Sequence, residues 1–572
     1  PCWSTPTTPA ATSGPTWPGL FGKSWGGFNG LQIAARRPRA LKAVITLYFT
    51  DDRYADDVHY MGGCVLGIEM QPWASVMLAH NALPPDPAVV GERWREMWLH
   101  RLQGMKPWVE DWLTHQTRDD FWKHGSVCED FGAITCPVYA IGGWADAYSN
   151  AVFRLLAGLK SPRKGLIGPW SHQFPDESRP GPTIGFLQEC LRWWDYWLKG
   201  IDTGIMDEPM FRVWMLDSVP PQVDREAWPG RWVAEEVWPS GRIQERVYYL
   251  GDGTLASEPG TPARLQFVGL QTTGQDAGAW CSFGAPADLP PDQRAEDGRS
   301  LCFTSEPLAE PLEMLGFPEV EVAVDVDQPN ALLAVRLCDV APDGSSRLIT
   351  RGLLNLTHRD GHEHPQPMPT GQVVTIRVRL NGVAYRVPQG HRLRVAVSPT
   401  YWPHAWPSPV PVTLGVHAGT GSRLLLPVRP PSPLDETLAP FAEPENSHPV
   451  DHVVVRTGRQ TLETRTVLPD GTLEIRRIND EGRTRLVEDG LEWEWVNEDR
   501  FEIREGNPLT ARVTSTRQVS LQRDDWSVRV ETFSVMTSDR DNFIVTNTVD
   551  AYEGDVRVFS RTWHRVIPRH HV

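Results

Sequence analysis

FGKSWGGFNG, Phe21 to Gly30, places one serine, Ser24, between Gly22 and Gly26 and follows it with a helix-forming run. The five residues Gly22-Lys23-Ser24-Trp25-Gly26 fit G-x-S-x-G, the sharp strand-to-helix turn that lifts a serine hydroxyl clear of the backbone. Glycine two residues to either side is expected because side chains there would collide across so tight a turn. At the start of the following helix the N–H of Trp25 is expected to face a developing oxyanion. A serine hydroxyl attacks well only when a base takes its proton, so the pattern asks for a histidine held by a carboxylate farther along.

The flanking sequence supplies both. GGFNGLQIAARRP reads as a short helix closed by Pro38, and ALKAVITLYF as a buried strand. ITCPVYAIGGWADAY gives a strand ending near Asp146, SNAVFRLLAGL a helix, and KGLIGPWSH a strand ending near His172. Such alternation implies a parallel sheet with crossover helices. Ser24, Asp146 and His172 then occur in the chain order that α/β-hydrolase chemistry uses, nucleophile, acid, base, with the last two on loops after later strands. Plainer readings stand beside this one: a tight-turn serine, an acid satisfying helix N-terminal amides, and a loop histidine. Phe186, Cys190, Trp194, Trp197 and Leu198 follow a helical period up to Gly200, a C-cap candidate.

Between about 70 and 130 the pattern changes to tryptophan-rich helices, with Trp94, Trp98 and Leu102 spaced by four and Trp108 and Trp112 repeating the spacing. This reads as a helical cap insertion whose aromatics pack its own core. From about 207 alternation takes over: Val320, Val322, Val324 and Val326 share one face, as do Val374, Ile376, Val378 and Leu380. Period two punctuated by Pro and Gly predicts a jelly-roll β-sandwich. The joint RPPSPLDETLAP precedes LEWEWV, WSVRVETFSV and DVRVFSRTW, which alternate again, and PDG at 469–471 signals a turn. The expected organisation is an α/β domain over 1–206 with a cap at about 70–130, a β-sandwich over 207–430, and an additional antiparallel β domain over 445–572 of unassigned role.

At 572 residues, a formal charge of −16 argues against nucleic acid, whose phosphates call for a basic face rather than an acidic excess, and no apolar run reaches a membrane span. A small neutral or cationic molecule is the expected partner. Its eight cysteines, Cys2 among them, form no CxxC pair or tight ligand spacing, so buried free thiols and a cytoplasmic setting are expected, with no metal.

GKSWGG with GGWAD and GPWSH, followed by a β-sandwich, resembles the cocaine esterase and X-Pro dipeptidyl-peptidase family of α/β-hydrolases, which includes α-amino-acid ester hydrolases and glutaryl acylases. The likeness spans about residues 20 to 430. It implies a serine hydrolase acting on esters, amides or peptides through an acyl-enzyme, with Ser24 as nucleophile, Asp146 orienting the imidazole, His172 as base and then acid, and no cofactor. In TDDRYADDVHYMGG, the α-amino-acid ester hydrolases carry a similar acidic run that helps bind a substrate ammonium, which makes Asp56 and Asp57 substrate-binding candidates; a solvated acidic loop is the other reading. His358, His362 and His364 in HRDGHEHP suggest a metal less than a polar loop.

The chain departs from the family at its start, with 23 residues before Ser24 where about four strands and a second oxyanion donor, a tyrosine, are expected. An N-terminally truncated α/β-hydrolase would expose an apolar sheet edge, favouring a partner or homo-oligomer. The alternative from a different class is a catalytically impaired remnant or a β-sandwich binding protein.

Overall fold

The computed structural model describes residues 18–571. Cys2 and the first 17 positions of the expected α/β domain lie outside the described residues.

Pro18 hands directly to β1 (Gly19–Lys23), which turns at Ser24 into α1 (Trp25–Ala35) and returns through β2 (Ala43–Leu47). β1 pairs in parallel with β2, with Lys23 opposite Leu47. Two short strands, β3 (Tyr60–Met61) and β4 (Cys64–Val65), form a separate antiparallel pair. The insertion then runs through α2 (Met70–Asn81), α3 (Pro87–Val90), α4 (Trp94–Gly104), α5 (Trp108–Thr114) and α6 (Asp120–Gly125). β5 (Val138–Gly143), α7 (Ser149–Gly158) and β6 (Arg163–Gly168) complete the parallel order β1-β2-β5-β6, and α8 (Phe186–Lys199) ends on Gly200 at φ 69, where a side chain would be strained. β2 and β5 are buried along their whole length, as expected of strands covered on both faces.

The parallel ladder does not stop at 206. β7 (Phe211–Asp217), which alternation alone assigns to the sandwich, pairs in parallel with β6 and touches the strand Val383–Val387. Mostly antiparallel strands follow to Val428, and Val320, Val322, Val324 and Val326 bury one face of Glu319–Val326 against Ile376, Val378, Val395 and Val416 in one sandwich core.

Residues His452–Pro568 form eight antiparallel strands, some of 13 to 17 residues. Their apolar face covers the helical insertion, which revises one expectation: the insertion's aromatics do not make a core of their own. Trp98 and Leu102 on α4 pack with Leu78 and Ala82 against Val528, Val530, Val549 and Trp563 of this sheet. Polar contacts follow the same seam, with Gln71 Nε2 donating to Asn547 Oδ1 at 3.2 Å and Arg517 Nη2 to the Pro72 carbonyl at 2.9 Å. Among the described residues no helix is long and apolar enough to cross a membrane.

Candidate active site

Ser24 sits at φ 58, ψ −121, a conformation a non-glycine residue holds only when its surroundings impose it. Its N–H donates to the Leu47 carbonyl at 2.9 Å, while its own carbonyl accepts from Gly27 and Phe28 in the first turn of α1. The Trp25 N–H belongs to that same turn, whose amides a helix leaves without internal partners. The two glycines of the motif are not equivalent. A Cβ at Gly22 would stand 2.1 Å from the Gly26 carbonyl oxygen, whereas one at Gly26 would meet nothing within 4 Å. The expectation that both flanking glycines relieve a collision is therefore corrected. Gly22 makes room for the turn, and Gly27, whose Cβ would lie 2.9 Å from the Leu47 carbonyl, lets α1 settle on β2.

Parallel strands in register bring three loops to one edge. Lys23 lies opposite Leu47, Leu47 opposite Ile141, and Gly143 opposite Gly168, so the chain leaves β1, β5 and β6 on the same side. Asp146 lies three residues beyond β5 and His172 four beyond β6. His172 Nδ1–H donates a short hydrogen bond to Asp146 Oδ2, and both side chains are buried. Asp146 Oδ1 accepts from the Tyr148 N–H at 2.7 Å, which fixes the carboxylate from the other side. Lys23, next to Ser24, extends its Nζ to the His172 carbonyl at 3.1 Å, so the serine turn and the histidine loop are tied directly. Burial lowers the Lys23 pKa.

The sandwich finishes the wall. Segment 280–283 threads between the two loops, the His172 N–H donating to the Ser282 carbonyl at 2.7 Å and the Ser282 N–H to the Ala145 carbonyl at 3.3 Å. Phe283 meets the His172 ring edge-on at 5.1 Å, and the Cys281 thiol donates to Asp146 Oδ2 at 3.8 Å. Burial, then the Asp146 carboxylate, push that thiol well above its ordinary range, so it keeps its proton at neutral pH. Tyr48, at φ 47 just after β2, lays its buried ring 5.3 Å from His172. Nothing in the sequence singled out Lys23, Tyr48 or Cys281, since each owes its place to a neighbour distant in the chain.

The acidic run is neither solvated nor free. Asp57 is buried, paired with Arg53, and accepts from the Tyr148 hydroxyl at 3.0 Å; Tyr148 in turn lies 5.9 Å from the His172 ring. Asp56 pairs with Arg154, which also grips Asp51. An ammonium at Asp56 or Asp57 would share its carboxylate with a guanidinium. The histidine segment is a loop with Asp360, Glu363 and His364 exposed, anchored at its start by one buried ring. His358 is buried, its ring stacked 6.3 Å from Tyr54 and its Nδ1 3.1 Å from His362 Nδ1. Among the described residues the seven cysteines are free thiols.

A parallel sheet with a serine elbow, an Asp–His pair at its strand ends and an appended sandwich defines an α/β-hydrolase. Family models describe the two parts. The X-Pro dipeptidyl-peptidase (S15 family) model matches residues 18–173, and the model of the X-Pro dipeptidyl-peptidase C-terminal non-catalytic domain matches 203–430. The chain belongs to the family of X-Pro dipeptidyl-peptidases and cocaine esterase. It is 22% identical to the cocaine esterase of a Rhodococcus species over 430 residues, 67% of this chain and 73% of that one. A candidate serine esterase of Mycobacterium bovis is 27% identical over 301 residues, 47% of this chain and 46% of that protein. The chain thus spans about half the length of that relative. A Staphylococcus aureus CocE/NonD family hydrolase shares the fold with a TM-score of 0.56 at 15% identity, over 71% of each chain.

Proposed function

We propose that the chain is a serine hydrolase that cleaves carboxylic esters or amides, X-prolyl peptides included, through an acyl-enzyme on Ser24. In this reading His172 takes the Ser24 proton and returns it to the leaving group, Asp146 holds the imidazole in the tautomer that keeps Nε2 free to accept, and the Trp25 N–H receives the oxyanion. The observation that carries it is the strained Ser24 turn at the same sheet edge as a buried His172–Asp146 bond. Strain of this kind, about 1–3 kcal/mol, survives where the surrounding structure over-determines it, and it concentrates at functional sites. Asp56 and Asp57 act on the substrate amine, in this reading, as carboxylates already paired with Arg154 and Arg53. The acidic balance and free thiols fit a small-molecule substrate and a cytoplasmic setting, with self-association left to a sizing experiment.

A fluorophosphonate probe should label the chain at Ser24, and Ser24→Ala should abolish labelling; labelling that survives the substitution rejects the assignment. Aminoacyl-proline amides, amino-acid esters and aryl esters, tested side by side, then rank the acyl and leaving groups.

A further inference from the structure

Asp146, His172 and Cys281 each offer one ligand atom, a carboxylate oxygen, a ring nitrogen and a thiol sulfur, and these three atoms lie within 4.8 Å of one another. A tetrahedral zinc ion, bound at about 2.0–2.3 Å, holds its ligands about 3.3–3.8 Å apart. The Cys281 Sγ to Asp146 Oδ2 distance is 3.8 Å, already within that range. The short His172–Asp146 bond has to open by about 1 Å on the same geometry, and the Cys281 Sγ and His172 ring nitrogen, which lie within 4.8 Å, have to draw into the same span. Chain spacing hides the trio, because His172 is 26 residues and Cys281 135 residues from Asp146. The carboxylates of Glu69 and Asp288 add negative field at the thiol, and the Lys23 ammonium opposes it.

We propose that this trio is an inhibitory site for one thiophilic divalent cation, zinc or cadmium, which binds across the Asp146–His172 pair and takes Cys281 as its third ligand. A thiolate, a neutral imidazole and a carboxylate balance the two positive charges, and the sulfur selects soft ions over magnesium or calcium. On binding, the thiol releases its proton to solvent. The Nδ1 lone pair turns to the metal, and the His172 proton passes to Nε2. With Nε2 protonated, the imidazole can no longer accept the Ser24 proton, so the metal switches off the base without touching the serine. This regulation rests on the hydrolase reading, whereas the metal site itself does not.

Cadmium titrated into the purified full chain reads the site directly through the thiolate-to-cadmium absorbance. One equivalent should develop the band in wild type and in Cys136→Ser. In Cys281→Ser the apparent affinity should fall by about 100-fold or more, and in His172→Gln, which keeps the thiol, by about 10-fold or more. Unchanged cadmium affinity in both variants overturns the site. Zinc should block fluorophosphonate labelling of wild type, chelation should restore it, and Cys281→Ser should still label at a zinc concentration that silences wild type. Labelling that ignores zinc, with no cadmium band, overturns the inference and leaves the hydrolase reading intact. A cadmium band in a chain that never labels removes the hydrolase reading and leaves the metal site standing.

Discussion

At the scale of single residues, the serine elbow is decided by one glycine rather than two. The Gly22 Cα faces the Gly26 carbonyl across the turn, and a methyl there must displace backbone, not a flexible side chain. Gly22→Ala should therefore cost about 1–3 kcal/mol, the range of overpacking in a tight site. Gly26→Ala points into open space on a helix and should be neutral, or stabilising by up to about 1 kcal/mol through helix propensity. Urea denaturation of the two variants checks this, and equal losses would show that the turn, not the contact, makes the demand. The motif was legible in the sequence because G-x-S-x-G is a local backbone requirement. Lys23, Tyr48 and Cys281 were not legible, because their roles arise from contacts with residues far away in the chain. Asp57 shows the same limit: its acidic neighbourhood was plain, but its pairing with Arg53 and Tyr148 belongs to the fold.

At the scale of elements, alternation and helical period placed the strands and helices well, since each pattern is written in which residues must avoid water. They could not say what each apolar face meets. The stripe of α4 illustrates this: Trp98 is fully buried, its Nε1 donates to the Ala82 carbonyl at 2.7 Å, and much of its cover comes from strands more than 400 residues later. Trp98→Ala should destabilise the chain by about 3–5 kcal/mol. It should also speed proteolysis within the segment 445–572, because the cavity opens the seam between the insertion and that sheet. A variant that loses stability with unchanged cleavage of the sheet would show that α4 packs on the insertion alone. β7 is the matching case among strands, since its alternation reads as sandwich while its parallel pairing with β6 joins it to the α/β sheet.

At the scale of the whole molecule, the helical insertion and the C-terminal sheet share charge across their seam. Glu69 occupies the N-cap of α2 beside the C-terminal sheet, and burial pushes its carboxyl from 4.5 up to about 7, with Arg477 and Arg517 opposing. The folded chain thus holds that proton more tightly than the unfolded chain. The contribution is unfavourable to folding as pH rises from about 4.5 to about 7 and constant above. Glu69→Gln should be more stable than wild type at pH 8, on the order of 1–3 kcal/mol, with the difference vanishing below the ordinary carboxyl range. Thermal melts across pH test it, and a difference that does not change with pH would place Glu69 in water rather than in the seam.

By itself the sequence determined the elements, the glycine-flanked serine turn and the chain order of Ser24, Asp146 and His172, because backbone sterics and hydrophobic period act over a few residues. Tertiary structure alone decided that loops after β1, β5 and β6 meet at one edge, that the sandwich inserts Cys281 beside Asp146, and that the last eight strands roof the insertion. Those outcomes depend on which surfaces find one another, and burial rewards such pairings without leaving a local mark in the chain.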